Sequence, residues 1–441
     1  MKTIGLDIGT TTLSAVVYSC KNGVLTSRTI QNNSSLPGKE WERLQDPIKI
    51  YDAAKCILQE LLTLHPDTAA LGISCQMHGI LYLDTLGNAV SPLYTWQDDR
   101  GNLPFDEHYS WAAHLSDLTG YSLSTGFGMV THFYNLHHNL VPAEAAALCT
   151  IGDYIAMKLA GHTSPLMDVT NAASLGLYDV EHQCFDMAAF RKAGIDPSIL
   201  PGSASGSSLG TDKLGIPVYP ALGDNQASFL GATVGHSDAL LINMGTGGQI
   251  SICTPDFSTT DALETRPFPD HHWLLVGASL CGGRSYALLE SFFRETVRMV
   301  TGQEVHAYDA MAKAMDTNDP ISDIPKTITQ FQGTRKDPSG RASIQNISAD
   351  NFTPRHFIYS IMQGMADELY AMYESYLTTG GTTPAVMIGS GNALRKNPHL
   401  CRIFEDTFGM PLILSQNEEE AACGAAIYAA DHFKQKKPEI R

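Results

Sequence analysis

The chain has 441 residues, 43% of them hydrophobic and 17% charged, and a formal charge of −17 at neutral pH. This length exceeds one ordinary core and predicts two domains, while the composition excludes a disordered chain. The acidic balance argues against nucleic acid or an anionic membrane as partner, and it obliges any phosphate site to be compensated locally by backbone N–H groups, a metal ion or a few cations.

The first residues read as a strand over 3–6, a Gly-Thr-rich loop over 7–12, a strand over 13–18, a Lys21-Asn22-Gly23 turn and a strand over 24–30. Asn-Gly between apolar runs is a strong hairpin signal. Apolar positions near helical spacing predict a helix over 47–64, followed by strands over 69–74 and 81–84. This alternation implies α/β architecture. Residues 110–200 read as helix-rich, and 218–222 as a short strand ending in Gly223-Asp224-Asn225. From Ala239 the N-terminal pattern recurs: an apolar strand, then Met244-Gly245-Thr246-Gly247-Gly248, then a strand over 249–253. Gly-Thr pairs are common in turns, but here both are flanked by strands. The recurrence predicts a duplicated α/β domain with a boundary near 235, dividing the chain into residues 1–235 and 236–441. Val386–Gly391 reads as a strand and glycine loop, with a helix over 394–408. Ala421–Ala430, rich in alanine, reads as a close-packed helix.

Nine cysteines without a CxxC pair read as free thiols in a reducing compartment, not a disulfide framework or a zinc site. An acid as early as Asp7 speaks against a signal peptide, and no apolar run approaches the ~18 residues of a membrane span. The expectation is a cytoplasmic protein with neither nucleic-acid nor membrane partners. Its oligomeric state is open, with a homodimer as one expectation.

Six segments carry chemistry. In Asp7-Ile8-Gly9-Thr10-Thr11-Thr12, glycine lets the backbone approach a phosphate, N–H groups and hydroxyls meet its oxygens, and Asp7 suits Mg²⁺ directly or through water. This is not a P-loop, because a strand follows instead of a helix. Gly245-Thr246-Gly247 is its counterpart. Asp224, after an apolar strand, is the candidate general base for phosphoryl transfer to a hydroxyl, with an Asx-turn residue as the plainer alternative. Gln76-Met77-His78-Gly79 and Trp96-Gln97-Asp98-Asp99-Arg100 interleave aromatic and polar groups in a manner suited to a polyhydroxyl ligand; His78 alone would read as a core histidine. Gly389-Ser390-Gly391-Asn392 opens a helix that can receive a nucleotide at its N-terminus. His132, His137 and His138 read as a solvated helix face rather than a metal site.

Taken in order, these segments resemble the FGGY family of carbohydrate kinases along the whole chain. The resemblance implies two actin-like, ribonuclease-H-like ATPase domains flanking a catalytic cleft. It implies ATP and Mg²⁺ as cofactors and a small-molecule sugar as substrate. Asp7-Ile8-Gly9-Thr10 is similar to the first phosphate motif, Gly245-Thr246-Gly247 to the second, and Gly389-Ser390-Gly391-Asn392 to the adenosine motif. Asp224 falls on the family's catalytic aspartate, with Asn225 beside it at the sugar. Gln76, Met77 and His78 resemble the sugar-contacting segment of the xylulokinases. Trp96, Asp98 and Arg100 resemble a stretch of the glycerol kinases and sedoheptulokinases, and Ala278–Gly283 is most similar to the sedoheptulokinases. The substrate implied is a ketose, sedoheptulose-like first and xylulose second, with gluconate and polyols as alternatives. From other classes, a non-catalytic sugar-binding protein and a chaperone-like ATPase of the same superfold remain; the latter would not need the two sugar segments. One departure stands out: many members carry Lys or Arg about where this chain has Ser14.

Overall fold

The computed structural model describes residues 1–435 apart from 205, 237, 318, 335, 336 and 338. The chain divides into two compact units. The first contains Met1–Ala232, Arg266–His272 and the chain from Asn417 onward; the second contains Thr233–Thr265 and Trp273–Gln416. The chain therefore passes between units more often than a single break near 235 allows.

The first unit is built on a six-stranded sheet in the order Gly210–Thr211, Pro217–Gly223, Thr68–Cys75, Lys2–Ile8, Thr12–Ser19, Gly23–Gln31. Lys2–Ile8, Thr68–Cys75 and Pro217–Gly223 run parallel, and Lys2–Ile8 turns antiparallel into Thr12–Ser19. Strand alternation assigns the two faces. Ile4, Leu6 and Ile8 are fully buried in one cluster with Ile50, Ala54, Ile57 and Leu61 of the helix Pro47–Leu64. That helix begins where Asp46 accepts the N–H groups of Ile48 and Lys49.

Thr3 and Gly5 point the other way, toward the helix Glu420–Gln435, where Thr3 donates to the Ala426 carbonyl. A Cβ on Gly5 would lie 1.8 Å from the Ala422 oxygen, and one on Gly72 1.9 Å from that of Ala425. The alanine-rich helix thus sits directly on glycines of the first sheet. This explains why the C-terminal segment joins the first unit although it lies far along the chain.

The second sheet runs Glu264–Phe268, His272–Ser279, Gly248–Thr254, Ala239–Met244, Val386–Ser390, Leu412–Leu414. Its plan repeats the first: an antiparallel meander whose opening strand also pairs parallel, here with Val386–Ser390. The helix Pro354–Thr378, capped by Thr353, packs Ile358, Ile361, Met365 and Leu369 into the core with Leu240 and Ile242.

Two expectations are corrected. The helix read over 394–408 is two, Asn392–Lys396 and Pro398–Phe408, because Pro398 cannot continue a helix and opens the second one. His132 is not on a solvated face: it is buried against the Tyr82 hydroxyl at 2.8 Å, and burial pushes its pKa down to about 4. His137 and His138 are exposed.

Candidate active site

In the first unit, three parallel strands end together. Ile8 and Gly223 both lie opposite Cys75, and Asp7 lies opposite Ser74. Asp7, Gln76 and Asp224 therefore emerge at the carboxyl ends of adjacent strands, where open α/β sheets bind ligands.

The loop after Lys2–Ile8 is tightly held. Gly9 N–H donates to the Thr12 carbonyl at 2.9 Å, and Asn32 binds both the Gly9 and the Thr11 carbonyls. Thr10 Oγ1 donates to Gln76 Oε1 at 3.0 Å and accepts from Trp96 Nε1 at 2.9 Å. Gln45 closes the ring, accepting from Gln76 Nε2 and donating to the Thr10 carbonyl. Thr11 is exposed and Thr12 half-buried. Gln45 escaped sequence reasoning because it sits in a two-residue strand, Leu44–Gln45, with no pattern of its own.

His78 has φ of 71°, a left-handed conformation uncommon for a residue with a Cβ. Its N–H donates to Ser174 Oγ, and its Nδ1 carries a proton to the Ser174 carbonyl at 2.6 Å. The ring stacks on Phe127 at 4.6 Å. Met77 packs its sulfur against Gly223. Gly126, at φ +83°, allows the backbone to approach the Trp96 carbonyl, where a Cβ would come within 2.0 Å. Trp96 itself is 46% exposed.

Asp98 and Arg100 depart from the expectation of sugar contacts. Both are almost fully buried, and the guanidinium grips both carboxylate oxygens, at 2.6 and 3.1 Å. Arg100 also lies over the Tyr94 ring and binds Asn135. Asp98 in addition accepts from Arg43 N–H. The pair anchors the Trp96 turn from below.

Asp224 opens the helix Asp224–Ala232. Burial, and then the charge of Asp7, raise its pKa to about 7, against the lowering effects of the Asn225 N–H and Arg266. Asp7 accepts from Ser74 Oγ at 2.5 Å, and burial pushes its pKa up to about 6, with Glu419 adding to the rise. Asn225 Oδ1 is a buried acceptor with no donor among the described residues. Ser14 is buried and bonds Thr29, which donates to Glu419. The hydroxyl of Ser14 thus leads, through Thr29, to an acid. Among the described residues no group of three acidic, His or Cys side chains is arranged to hold a metal ion.

In the second unit, Asn243 lies opposite Ser390, so Gly391 and Asn392 emerge beside Gly245. The helix Gly282–Thr301 is stapled to the loop, its Gly283 and Arg284 N–H groups donating to the Gly245 and Thr246 carbonyls. A Cβ on Gly282 would lie 2.3 Å from Gly247, and one on Gly391 (φ +86°) 2.5 Å from the Met244 oxygen. These close approaches frame a cavity of about 930 Å³ lined by Gly245, Thr246, Arg284, Tyr286, Tyr308, Asn392 and Asn397, among others. Gly389 and Ser390 lie in the buried strand beneath it. Arg284, Tyr286, Tyr308 and Asn397 were not predicted as site residues; the Gly282-Gly283 pair ahead of an amphipathic helix was the signal for the first two.

Two sheets of one plan, each carrying a Gly-Thr hairpin, place the chain in the actin-like fold class. The chain belongs to the FGGY family of carbohydrate kinases: the family's N-terminal domain matches residues 2–231 and its C-terminal domain residues 240–431. It is 28% identical to the sedoheptulokinase of Homo sapiens, over 99% of this chain and 98% of that protein. A solved structure described as a xyloylose kinase from Brucella ovis superposes with a TM-score of 0.82 at 17% identity, covering 99% of this chain and 91% of that one. The glycerol kinase of Plasmodium falciparum, solved with ADP, gives 0.80 at 19% identity, covering 99% and 90%. No helix among the described residues is long and apolar enough to cross a membrane.

Proposed function

We propose that this kinase transfers the γ-phosphoryl group of ATP to a hydroxyl of a ketose of the sedoheptulose type, with Asp224 as the general base. The observation that carries this reading is the shared strand-end edge of Asp7, Gln76 and Asp224. It gathers a carboxylate for proton abstraction, a loop for phosphate and a segment for sugar on one rim. The nearly full-length similarity to a protein named sedoheptulokinase supports the ketose.

In this reading the first unit holds the sugar. His78, fixed by Ser174, and the orphan acceptor Asn225 Oδ1 bind hydroxyls, Met77 backs them, and Trp96 offers a ring face. Asp98 and Arg100 support the Trp96 turn. Asp224, held near neutrality by burial and by Asp7, takes the hydroxyl proton as the oxygen attacks phosphorus.

The second unit holds the nucleotide. Gly245, Thr246 and Gly247 approach its phosphates, and Gly391 and Asn392 face its nucleoside, above the strand residues Gly389 and Ser390. In the first unit Gly9, Thr10, Thr11 and Thr12 form the other phosphate loop. Mg²⁺, when bound with the nucleotide, supplies charge neutralisation on the phosphate oxygens. Asp7 is the residue that would hold it, directly or through water, since one carboxylate among waters and phosphates suits this ion.

A coupled ADP-release screen over ketoses, aldoses, polyols and sugar acids tests the substrate. Turnover confined to glycerol or gluconate would overturn the ketose assignment. Asp224→Asn should lower kcat by about 10²–10⁴-fold while sparing sugar binding; near-normal turnover in that variant would sink the base assignment.

A further inference from the structure

The helix Val169–Ser174 is only six residues long, yet its polar side chains are buried and directed at two parts of the candidate site. Thr170 and Asn171 are 0% exposed and Ser174 5%. A helix that only filled space would present apolar groups here, because buried polar groups are costly unless they are bonded.

At one end of the helix, the Asp168 carboxylate accepts both the Thr170 N–H and the Thr170 hydroxyl, at 2.9 and 2.7 Å. With its proton directed there, Thr170 Oγ1 presents a lone pair to the Gly223 N–H at 3.0 Å. Asn171 Nδ2 donates to the Ala221 carbonyl at 2.9 Å. Two successive residues therefore hold the end of the strand that delivers Asp224.

At the other end, Ser174 Oγ donates to the Asn171 carbonyl at 2.7 Å, which turns its lone pair to the His78 N–H at 3.1 Å. The Ser174 carbonyl accepts His78 Nδ1–H. A left-handed residue with a Cβ is strained and persists where its surroundings over-determine it. At His78 those surroundings are Ser174 and the Phe127 ring.

We infer that Val169–Ser174 is a positioning strut, with Thr170 setting the backbone beneath Asp224 and Ser174 setting the His78 imidazole. The base and the sugar-binding ring are thereby referenced to one short rigid element instead of to separate loops. This inference rests on the reading of Asp224 as base and His78 as sugar contact.

The test separates the two ends. Thr170→Val keeps the shape but leaves the buried Gly223 N–H without an acceptor. It should lower kcat about 10–100-fold, as small misplacements of a reacting group do, with sugar KM within about twofold. Thr170→Ser restores the hydroxyl and should recover kcat to within a few-fold. Ser174→Ala should act on the other end, raising sugar KM roughly tenfold with a smaller loss in kcat.

Equal losses in Thr170→Val and Thr170→Ser would mean a packing role and overturn the inference, as would an unchanged KM in Ser174→Ala. If Thr170→Val lacks a cooperative melt, Asn171→Ala replaces it: the Ala221 carbonyl on the same strand loses its side-chain donor, and kcat should fall roughly 3–10-fold. An unchanged kcat there also overturns the inference. Asp224→Asn and His78→Ala run in parallel. If they keep kcat and sugar KM, the functional reading itself falls and the strut with it; if they fail while the strut variants are neutral, only the strut falls.

Discussion

Trp96 Nε1 donates to Thr10 Oγ1 at 2.9 Å, joining the aromatic residue of one candidate sugar segment to the phosphate loop. The same hydroxyl donates to Gln76, at the start of the other sugar segment. Thr10 can donate only one proton, so Gln76 and Trp96 fix its orientation between them. The two candidate sugar segments and the candidate phosphate loop are therefore one hydrogen-bonded assembly within the first unit.

Trp96→Phe keeps an aromatic face and removes this bond. A single neutral hydrogen bond contributes about 0.5–1.5 kcal/mol, so KM should rise about 2–10-fold. Because Thr10 belongs to the proposed phosphate loop, the increase should appear for ATP as well as for the sugar. Steady-state kinetics with each substrate varied in turn checks this; a change confined to the sugar would show that the bond does not couple the two.

The pH profile follows from the carboxylates. With Asp224 raised to about 7, the ionised base forms as pH climbs through that value, so kcat/KM should increase up to about 7 and then level. Asp7 contributes a like charge to that rise. Asp7→Asn removes it and should move the acidic limb to lower pH. The position of the limb is read independently of the height of the plateau, which the loss of a candidate metal ligand would itself lower.

The same shift carries a stability cost. An unfolded aspartate titrates near about 3.9, so between about 4 and 7 the native state binds the extra proton. Stability therefore falls as pH rises across that window, and the whole penalty is present above it. Asp224→Asn should melt higher than the parent at pH 8, by about 2–4 °C for each kcal/mol relieved, and the gap should close toward pH 4. Thermal melts at the two pH values measure it.

Strand ends were the legible part of this site. Asp7, Gln76 and Asp224 each follow a short apolar run, and such runs in an α/β chain announce both the strand and the edge where it stops. Burial of single polar residues was not legible: Asp98 and Arg100 read as sugar ligands because nothing in their spacing reveals the bidentate pair they form under Tyr94. Tyr286 and Tyr308 lie on helices, Gly282–Thr301 and Tyr308–Met315, where apolar spacing suggests core. The strut Val169–Ser174 has no periodicity at all. The match of Gly5 and Gly72 to the helix Glu420–Gln435 is a contact over hundreds of residues, which local pattern cannot carry.

Arg284 and Lys396 are the Arg and Lys side chains that line the cavity beside Gly245 and Thr246, and Arg284 is the one tied to that loop. Its backbone is tied to the Thr246 carbonyl at 3.1 Å, its side chain lines the cavity beside Gly245 and Thr246, and Nη1 is steadied by Gln332 Oε1 at 2.7 Å. His399, also at that cavity, is instead paired with Asp316 at 2.9 Å. In a chain of charge −17 such a group is one of the means by which a phosphate site is compensated locally. Arg284→Gln should raise KM for ATP roughly 10–100-fold, the range of a charge-assisted bond, while leaving sugar KM unchanged. Arg284→Lys should recover part of the loss, since a point charge still binds phosphate without the bidentate fork. The ATP KM of the parent should also climb with ionic strength more steeply than that of Arg284→Gln, because only the parent has this charge to screen. A Gln variant with the parent's ATP KM and salt dependence would place the compensating charge elsewhere.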